Sequence, residues 1–261
     1  MSYDARWALQ YFYPHPDLKF RDFFVQYYKE LERQHITVDI VNPGSDLTKY
    51  KAVIVPLIYL MDRKMAENIV KYVEQGGTLV YTARSGAKDE NSSMVPTTLT
   101  PEIAGMLGIE IEESFALPPE AESAVEMDNG ARYSISKWVN TARVLAEYCD
   151  GWYRQKTAIT CNDFGKGKAY YIGTIPEGRF ISEVITGIVK NAGVTPLLEA
   201  PAEIQACRRT DGKKDIVFVM NASEQRRLLN LGCEYSDVLN GKEVKGELEL
   251  EPYGVYILKK R

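Results

Sequence analysis

The side chains best suited to chemistry lie in one short polar loop, residues 82–91, which follows a predicted strand at 78–81. Five of its residues form a candidate binding or interface group: Arg84, Ser85, Asp89, Glu90 and Asn91. Loops at the carboxyl ends of strands are common functional positions in α/β proteins. Arg84 is expected to pair with a carboxylate, within the loop or across an interface, because its planar guanidinium binds a carboxylate at two points.

The sequence lacks the groups that the common kinds of catalysis require. His15 lies between two prolines and His35 at a predicted helix–strand junction, and both are interpreted as structural. No G-x-S-x-G or G-x-C-x-G elbow surrounds Ser85, which argues against hydrolase or class I amidotransferase chemistry. A glycosidase needs two carboxylates facing each other across a sugar. Adjacent carboxylates, as at 89–90 and 112–113, diverge in strands or loops, so no residue is assigned a catalytic role.

Motif spacing and composition argue against several classes of partner. The run at 165–168 lacks the spacing of a phosphate-binding loop, and no histidine or cysteine pair has metal-ligand spacing, so neither a cofactor nor a metal is expected. A net charge of −4 without a long basic run argues against nucleic acid and anionic membranes. No apolar run reaches the ~18 residues of a membrane span. Four widely spaced cysteines and a start without a signal-peptide core predict a soluble cytoplasmic protein.

The first part of the chain alternates between helix and strand patterns. The predicted elements are a helix at 18–34, a strand at 36–40, a strand at 52–58, a helix from Asp62 to about Gly76, a strand at 78–82 and a helix at 101–107. The buried stripes are expected to include Phe24 in the first helix and Met65 in the second. This alternation predicts a parallel sheet with helices on both faces.

The remainder is rich in predicted strands. Asn129–Gly130 and the glycines at 165–167 indicate hairpins, so residues 109–176 are expected to add antiparallel strands to the sheet before a helix at 178–192. A proline-bounded segment, 195–201, is the best linker candidate. We therefore predict an α/β domain over 1–197 and a small antiparallel β-sandwich over 198–261.

Several segments together resemble one family, the family 42 β-galactosidases, in the part that follows the catalytic barrel. The segments, in chain order, are 3–9, 13–17, 46–51, 55–60, 72–80 with 84–86 and 89–90, 217–221 and 252–255. The order of the segments, and their spread over nearly the whole chain, carry this resemblance. Arg6 and Trp7 lie in the first segment and join the candidate binding or interface residues.

The resemblance implies a class I amidotransferase-like, flavodoxin-like layered sheet with added antiparallel strands, followed by the small β domain. In the family, this middle domain forms trimers and walls the active site, whereas the catalytic glutamates lie in an N-terminal (β/α)8 barrel. None of those glutamates can therefore be placed in this sequence. The family's middle domain also opens with an apolar strand before the Arg6–Trp7 segment. Either these residues are a fragment of a longer chain, or 3–12 take that strand's role.

The leading hypothesis is thus a non-catalytic oligomerisation and scaffold portion of a β-galactosidase-type glycoside hydrolase, with self-association as a trimer. A catalytic barrel on a longer or separate chain is its expected partner. A stand-alone carbohydrate-binding or sensing protein is the alternative. It would use the cleft bordered by Arg84, Asp89 and Glu90, and the N-terminal aromatic residues could stack on a sugar. A small hydrolase is the third hypothesis.

Overall fold

The computed structural model describes residues 19–96, 98–111, 114–117, 123–140, 142–148 and 154–260. By its internal contacts, the chain divides into two compact units. The first comprises the described part of Met1–Tyr27 together with Ile40–Gly193, and the second comprises Tyr28–Asp39 together with Val194–Arg261.

A nine-stranded mixed sheet forms the centre of the first unit. Its strands are β1 (Ala52–Val55), β2 (Thr78–Thr82), β3 (Ser114–Ala116), β4 (Ser123–Met127), β5 (Arg132–Asn140), β6 (Ala142–Tyr148), β7 (Ile159–Phe164), β8 (Gly167–Ile172) and β9 (Thr174–Ile175). The strand order is β1-β2-β8-β7-β6-β4-β5-β3, with β9 also paired to β5. Among the strand pairs of the described residues, β1–β2 and β2–β8 are parallel, and the other pairs of this sheet are antiparallel. The predicted antiparallel extension is confirmed, and it makes up most of the sheet.

Four helices are described: α1 (Phe20–Arg33), α2 (Arg63–Glu74), α3 (Pro101–Leu107) and α4 (Arg179–Asn191). As predicted, Asp62 caps α2, because its carboxylate accepts the Met65 N–H at 2.8 Å. Thr100 caps α3 in the same way, and Gly108 ends that helix in the left-handed conformation. The local signals in the sequence therefore place the start of α2 and the end of α3 correctly.

Three details of the first elements differ from the predictions. Phe23, not Phe24, belongs to the buried face of α1, which repeats at spacings of three and four from Phe20. In α2 the buried residues are Ala66, Ile69, Tyr72 and Val73, and Met65 is only half-buried. The structure assigns no strand to 36–40, because a ladder requires a neighbouring strand in register and alternation alone does not supply one.

The β-strands of the second unit form one five-stranded antiparallel sheet. They are β10 (Ile204–Thr210), β11 (Asp215–Asn221), β12 (Arg227–Asp237), β13 (Glu243–Leu250) and β14 (Val255–Lys260), in the order β10-β11-β14-β12-β13. Side chains from all five strands form its buried core, including Ile204, Val219 and Leu250. A C-terminal antiparallel β domain is therefore confirmed, whereas the division at 197/198 and its sandwich form stay predictions.

His35 has a structural role within the second unit. The side chain is 4% exposed, and Nε2 lies 2.9 Å from the Ile204 carbonyl oxygen. Its own carbonyl accepts the Leu197 N–H at 2.8 Å.

Among the helices of the described chain, none combines the length and the apolar character that a membrane crossing needs.

Candidate functional site

Two hydroxyl groups fix the start of the candidate loop beneath the end of β1. Thr82 Oγ1 donates to the Val55 carbonyl at 3.1 Å and accepts the Leu57 N–H at 2.9 Å. Ser85 Oγ donates to the same carbonyl at 3.2 Å and accepts the Ile58 N–H at 3.1 Å. Leu57 has a φ of 53°, a conformation that costs energy for a branched residue, and it ends β1 before the predicted position 58. The two hydroxyls satisfy the backbone groups that this break in the strand would leave without partners.

Ser85 is therefore a structural residue at this site. The side chain is 1% exposed, and its hydroxyl lies between two backbone groups and the Thr82 hydroxyl. A nucleophile needs a base within hydrogen-bond reach and access to substrate. The buried neighbour Tyr81 supplies no such base, because burial raises the pKa of its phenol further above the ordinary value and keeps it neutral.

Arg84 and Lys88 both contact the ring of Tyr59, a residue of the neighbouring loop. One guanidinium nitrogen of Arg84 donates to the Tyr59 hydroxyl at 2.8 Å, and the guanidinium carbon lies 5.0 Å from the ring centroid. Lys88 Nζ lies 5.5 Å from the same centroid. Each contact is a cation–π interaction worth about 0.5–2 kcal/mol. Arg84 itself has a φ of 66°, so the backbone is strained where the loop leaves the strand.

Backbone hydrogen bonds hold the rest of the loop against residues 58–61. Gly86 N–H donates to the Ile58 carbonyl at 2.8 Å, and Lys88 N–H donates to the Tyr59 carbonyl at 3.1 Å. Lys88 forms β-bridges to Leu60 on one side and to Met94 on the other. Gly86 is required at this point, since it has a φ of 65° and a Cβ atom there would lie 2.5 Å from the Tyr81 hydroxyl. The loop is thus a short extension of sheet structure with a fixed shape.

Asp89 organises the exposed tip of the loop. Its Oδ1 accepts the backbone N–H groups of Asn91 at 2.9 Å and Ser93 at 2.8 Å. This Asx-turn leaves Glu90 and Asn91 exposed to solvent, beside Met94, which is 51% exposed. Sequence reasoning missed Met94, because the predicted loop ended at residue 91 and only the bridge to Lys88 brings 94 back to the tip.

The structure brings together some of the predicted site residues. Ser85 and Arg84 lie at the base of the loop, and Asp89, Glu90 and Asn91 lie at its tip. Arg6 and Trp7 lie outside the described residues. The pairing of Arg84 with a carboxylate stays a prediction. Among the described residues, no cluster of three or more histidine, cysteine, aspartate or glutamate residues could hold a metal ion. The arrangement suits binding and assembly by a rigid, polar and partly apolar tip.

Replacing Thr82 with valine tests the structural reading of the hydroxyl pair. The change keeps the shape of a fully buried side chain but leaves the Leu57 N–H without its acceptor, so we expect a loss of about 1–3 kcal/mol in unfolding free energy. Thr186→Val is the control, because that hydroxyl is exposed on α4 and bonds only within its own helix. Denaturant titration measures the unfolding free energy of both variants. If Thr82→Val were as stable as Thr186→Val, the structural role of the Thr82 hydroxyl would be contradicted.

Two family models match the chain. Residues 1–195 match the beta-galactosidase trimerisation domain, and residues 203–260 match the beta-galactosidase C-terminal domain. A β-galactosidase of Planococcus sp. (strain L4) is 30% identical over 272 residues, which cover 99% of this chain and 40% of the relative. A β-galactosidase of Clostridium perfringens is 31% identical, with 94% and 38% covered. The chain thus spans about two fifths of the length of these curated relatives.

Solved structures agree with the sequence matches. The crystal structure of a β-galactosidase from Bacillus circulans sp. alkalophilus matches with a TM-score of 0.93 and 30% identity, covering 100% of this chain and 40% of that one. The two family models together leave no room within 261 residues for a (β/α)8 barrel, which needs about 250 residues. The chain therefore belongs to the family 42 β-galactosidases, and its residues correspond to the trimerisation and C-terminal domains of that family.

Proposed function

We propose that these residues form the non-catalytic assembly portion of a β-galactosidase-type glycoside hydrolase acting on galactosides, and that they self-associate as a trimer. The match of residues 1–195 to a trimerisation domain carries the proposal. A catalytic barrel, on a longer or separate chain, is the partner that the assembly would serve, and the cytoplasm is the proposed location.

The same match supports a finer description of the fold. We propose the layered amidotransferase-like arrangement for residues 1–197, with a separate small β-sandwich over 198–261. The three parallel strands β1, β2 and β8 support the first part, because they provide the short parallel core that such a layered sheet requires. The antiparallel pairing of β10 to β14 supports a small antiparallel β domain there, and a second sheet facing this one would make it a sandwich.

The loop at 83–95 is the proposed contact between copies in the trimer. Its shape is fixed by β-bridges and by the Asp89 turn, so association would cost little ordering entropy. Its tip places Glu90 and Asn91 next to the apolar Met94. A methionine surrounded by polar groups is typical of the centre and rim of an interface. Arg84 and Lys88 supply cations at the base of the same loop.

The double substitution Glu90→Lys/Met94→Lys tests this contact. Placing two lysines at the tip would bury uncompensated charge in the assembled state. The dissociation constant of the trimer is therefore expected to rise by at least about tenfold, or 1.4 kcal/mol. Ile40→Lys is the control, because Ile40 is an apolar residue of similar exposure, 55%, outside the loop. Light scattering at several concentrations measures the mass of each protein.

An unchanged mass in the double variant would remove the loop from the interface. Circular dichroism and thermal unfolding of the variant establish that its fold is kept. The same preparations are expected to leave a chromogenic β-galactoside unhydrolysed. Turnover that a single Glu or Asp substitution abolishes would contradict the non-catalytic assignment, and saturable galactose binding by the single chain would favour the carbohydrate-binding alternative.

A further inference from the structure

A cleft in the first unit lies between the loop at 44–48 and one side of α2. Its volume is about 400 Å³, within the range of about 300–1,000 Å³ that is typical of small-ligand sites. The helix side of the cleft is formed by Asn68, Lys71, Tyr72 and Gln75, at positions that share one face of a helix. None of the residues that line it belongs to the candidate loop at 82–91. The cleft is therefore a separate feature of a size suited to a small ligand.

Hydrogen bonds fix the shape of the cleft before any ligand binds. Asn68 Nδ2 donates to the carbonyl oxygens of Pro43 at 2.7 Å and Ser45 at 2.9 Å, which ties the loop to α2. Within the loop, Asp46 Oδ1 accepts the Thr48 N–H at 3.0 Å and the Thr48 hydroxyl at 2.7 Å. A site that is already formed loses little ordering entropy when it binds a ligand.

The same bonds leave polar atoms of the lining available to a ligand. Both bonds of the Asn68 amide come from Nδ2, and both partners are acceptors, so Oδ1 on the other side of the amide can accept from a ligand. Both bonds to Asp46 fall on Oδ1, which leaves Oδ2 as a second acceptor. Lys71 and Gln75 are exposed and bring an ammonium donor and an amide, which both donates and accepts.

The lining is electrically balanced above an apolar base. Hydrogen bonds from the Thr48 hydroxyl and N–H hold the pKa of the Asp46 carboxyl below its ordinary value, so this group is a carboxylate at neutral pH. The Lys71 ammonium offsets its charge from the helix side. Leu47 and Tyr72, each 3% exposed, are the buried apolar members of the lining. Such a lining favours a neutral ligand that has many hydroxyl groups and some C–H surface.

We propose that this cleft binds a neutral monosaccharide. Each sugar hydroxyl both donates and accepts a hydrogen bond, and the lining offers acceptors at Asp46 and Asn68 and donors at Lys71 and Gln75. The C–H surface of the sugar ring covers the apolar base. Because the polar residues of the lining are largely open to solvent, the site is weak, with a Kd on the order of 1 mM. This site goes beyond the proposed assembly function and does not depend on it.

Saturation-transfer difference NMR of the full chain with methyl β-galactoside tests the proposal. The wild-type signal is expected to saturate, and Lys71→Ala/Gln75→Ala to weaken binding by at least about tenfold, because two ligand hydrogen bonds are lost. Alanine is a strong helix former, so α2 is kept. Lys64→Ala/Glu74→Ala is the matched control, because both residues are exposed on α2 and do not line the cleft. The control binds the sugar as the wild type does.

Asp46→Asn and two charged sugars test the chemistry of the ligand. The asparagine keeps an oxygen to accept from Thr48 but replaces Oδ2 with a donor, so binding is expected to weaken while the melting temperature is unchanged. Galacturonate and galactosamine carry one charge each and are expected to bind no more tightly than the neutral sugar. A charged sugar that bound at least about tenfold more tightly would overturn the assigned ligand class.

Three results would place the sugar elsewhere or nowhere. A wild-type signal that does not saturate overturns the proposal, and so does equal binding by Lys71→Ala/Gln75→Ala. Binding abolished by Glu90→Lys/Met94→Lys belongs instead to the cleft bordered by Arg84, Asp89 and Glu90, and it overturns the proposal as well. Light scattering reads the assembly separately. The substitutions in α2 leave the mass unchanged, so failure of the sugar site is distinguished from failure of the trimer.

Discussion

Replacing Asn221 with aspartate is expected to lower the free energy of unfolding by about 3–5 kcal/mol, the cost of an uncompensated buried charge. Asn221 is 2% exposed, and its Nδ2 donates to the carbonyls of Gln225 at 2.7 Å, Glu251 at 3.0 Å and Leu250 at 3.3 Å. An aspartate would direct a carboxylate oxygen at three acceptors. The amide thus ties the end of β11 to the ends of two other segments, and no isosteric residue can replace its donor.

The pH dependence of that variant follows from the same geometry. Burial against acceptors would raise the pKa of the new carboxyl above its unfolded value of about 3.9. The loss of unfolding free energy in the variant is then fully present at neutral pH, and it shrinks as the pH falls through the raised pKa of the carboxyl. Asn230→Asp, at an exposed position of β12, is the control and should cost little. Urea titrations at two pH values measure both, and a deficit that did not change with pH would contradict this cause.

Replacing Gly167 with alanine is expected to cost about 3 kcal/mol or more, because nothing around the new methyl group can move aside easily. A Cβ at Gly167 would lie 2.2 Å from the Val73 carbonyl oxygen and 2.3 Å from that of Gly77, both backbone atoms. The β7–β8 turn is therefore packed directly against the end of α2. This close approach needs a residue without a side chain.

Gly105→Ala is the matched control for that substitution. Gly105 lies inside α3, and a Cβ there meets nothing within 4 Å. The alanine should stabilise the helix by up to about 1 kcal/mol, since glycine is the poorer helix former. Thermal unfolding of both variants gives the comparison. Equal effects of the two substitutions would show that the contact at Gly167 does not determine the cost.

Local signals in the sequence predict the elements whose ends depend on nearby residues. Asp62, Gly108 and the Asn129–Gly130 turn act through hydrogen bonds or φ values within a few positions, and the structure places all three as expected. The strand predicted at 36–40 failed because pairing depends on a neighbour that alternation cannot reveal. The prediction of Phe24 in place of Phe23 as a buried residue failed for a similar reason. Both positions fit the spacing of a helical face, and only tertiary contacts decide which of them is buried.

In the candidate loop, too, the features that depend on residues distant in sequence could not be predicted. Its position after β2 follows from strand order, and sequence reasoning found its polar residues. The burial of the Ser85 hydroxyl and the stacking of two cations on Tyr59 depend on residues 55–59, more than twenty positions earlier. Met94 reaches the tip only through a β-bridge. Contacts across that sequence distance leave no signal in a short motif.

The most direct test of the account is the mass of the wild-type chain in solution, measured by sedimentation over a wide range of concentrations. Assembly through a trimerisation domain predicts a mass of three chains, and this three-chain species is expected to persist as the protein is diluted. A single chain at every concentration would contradict the central claim.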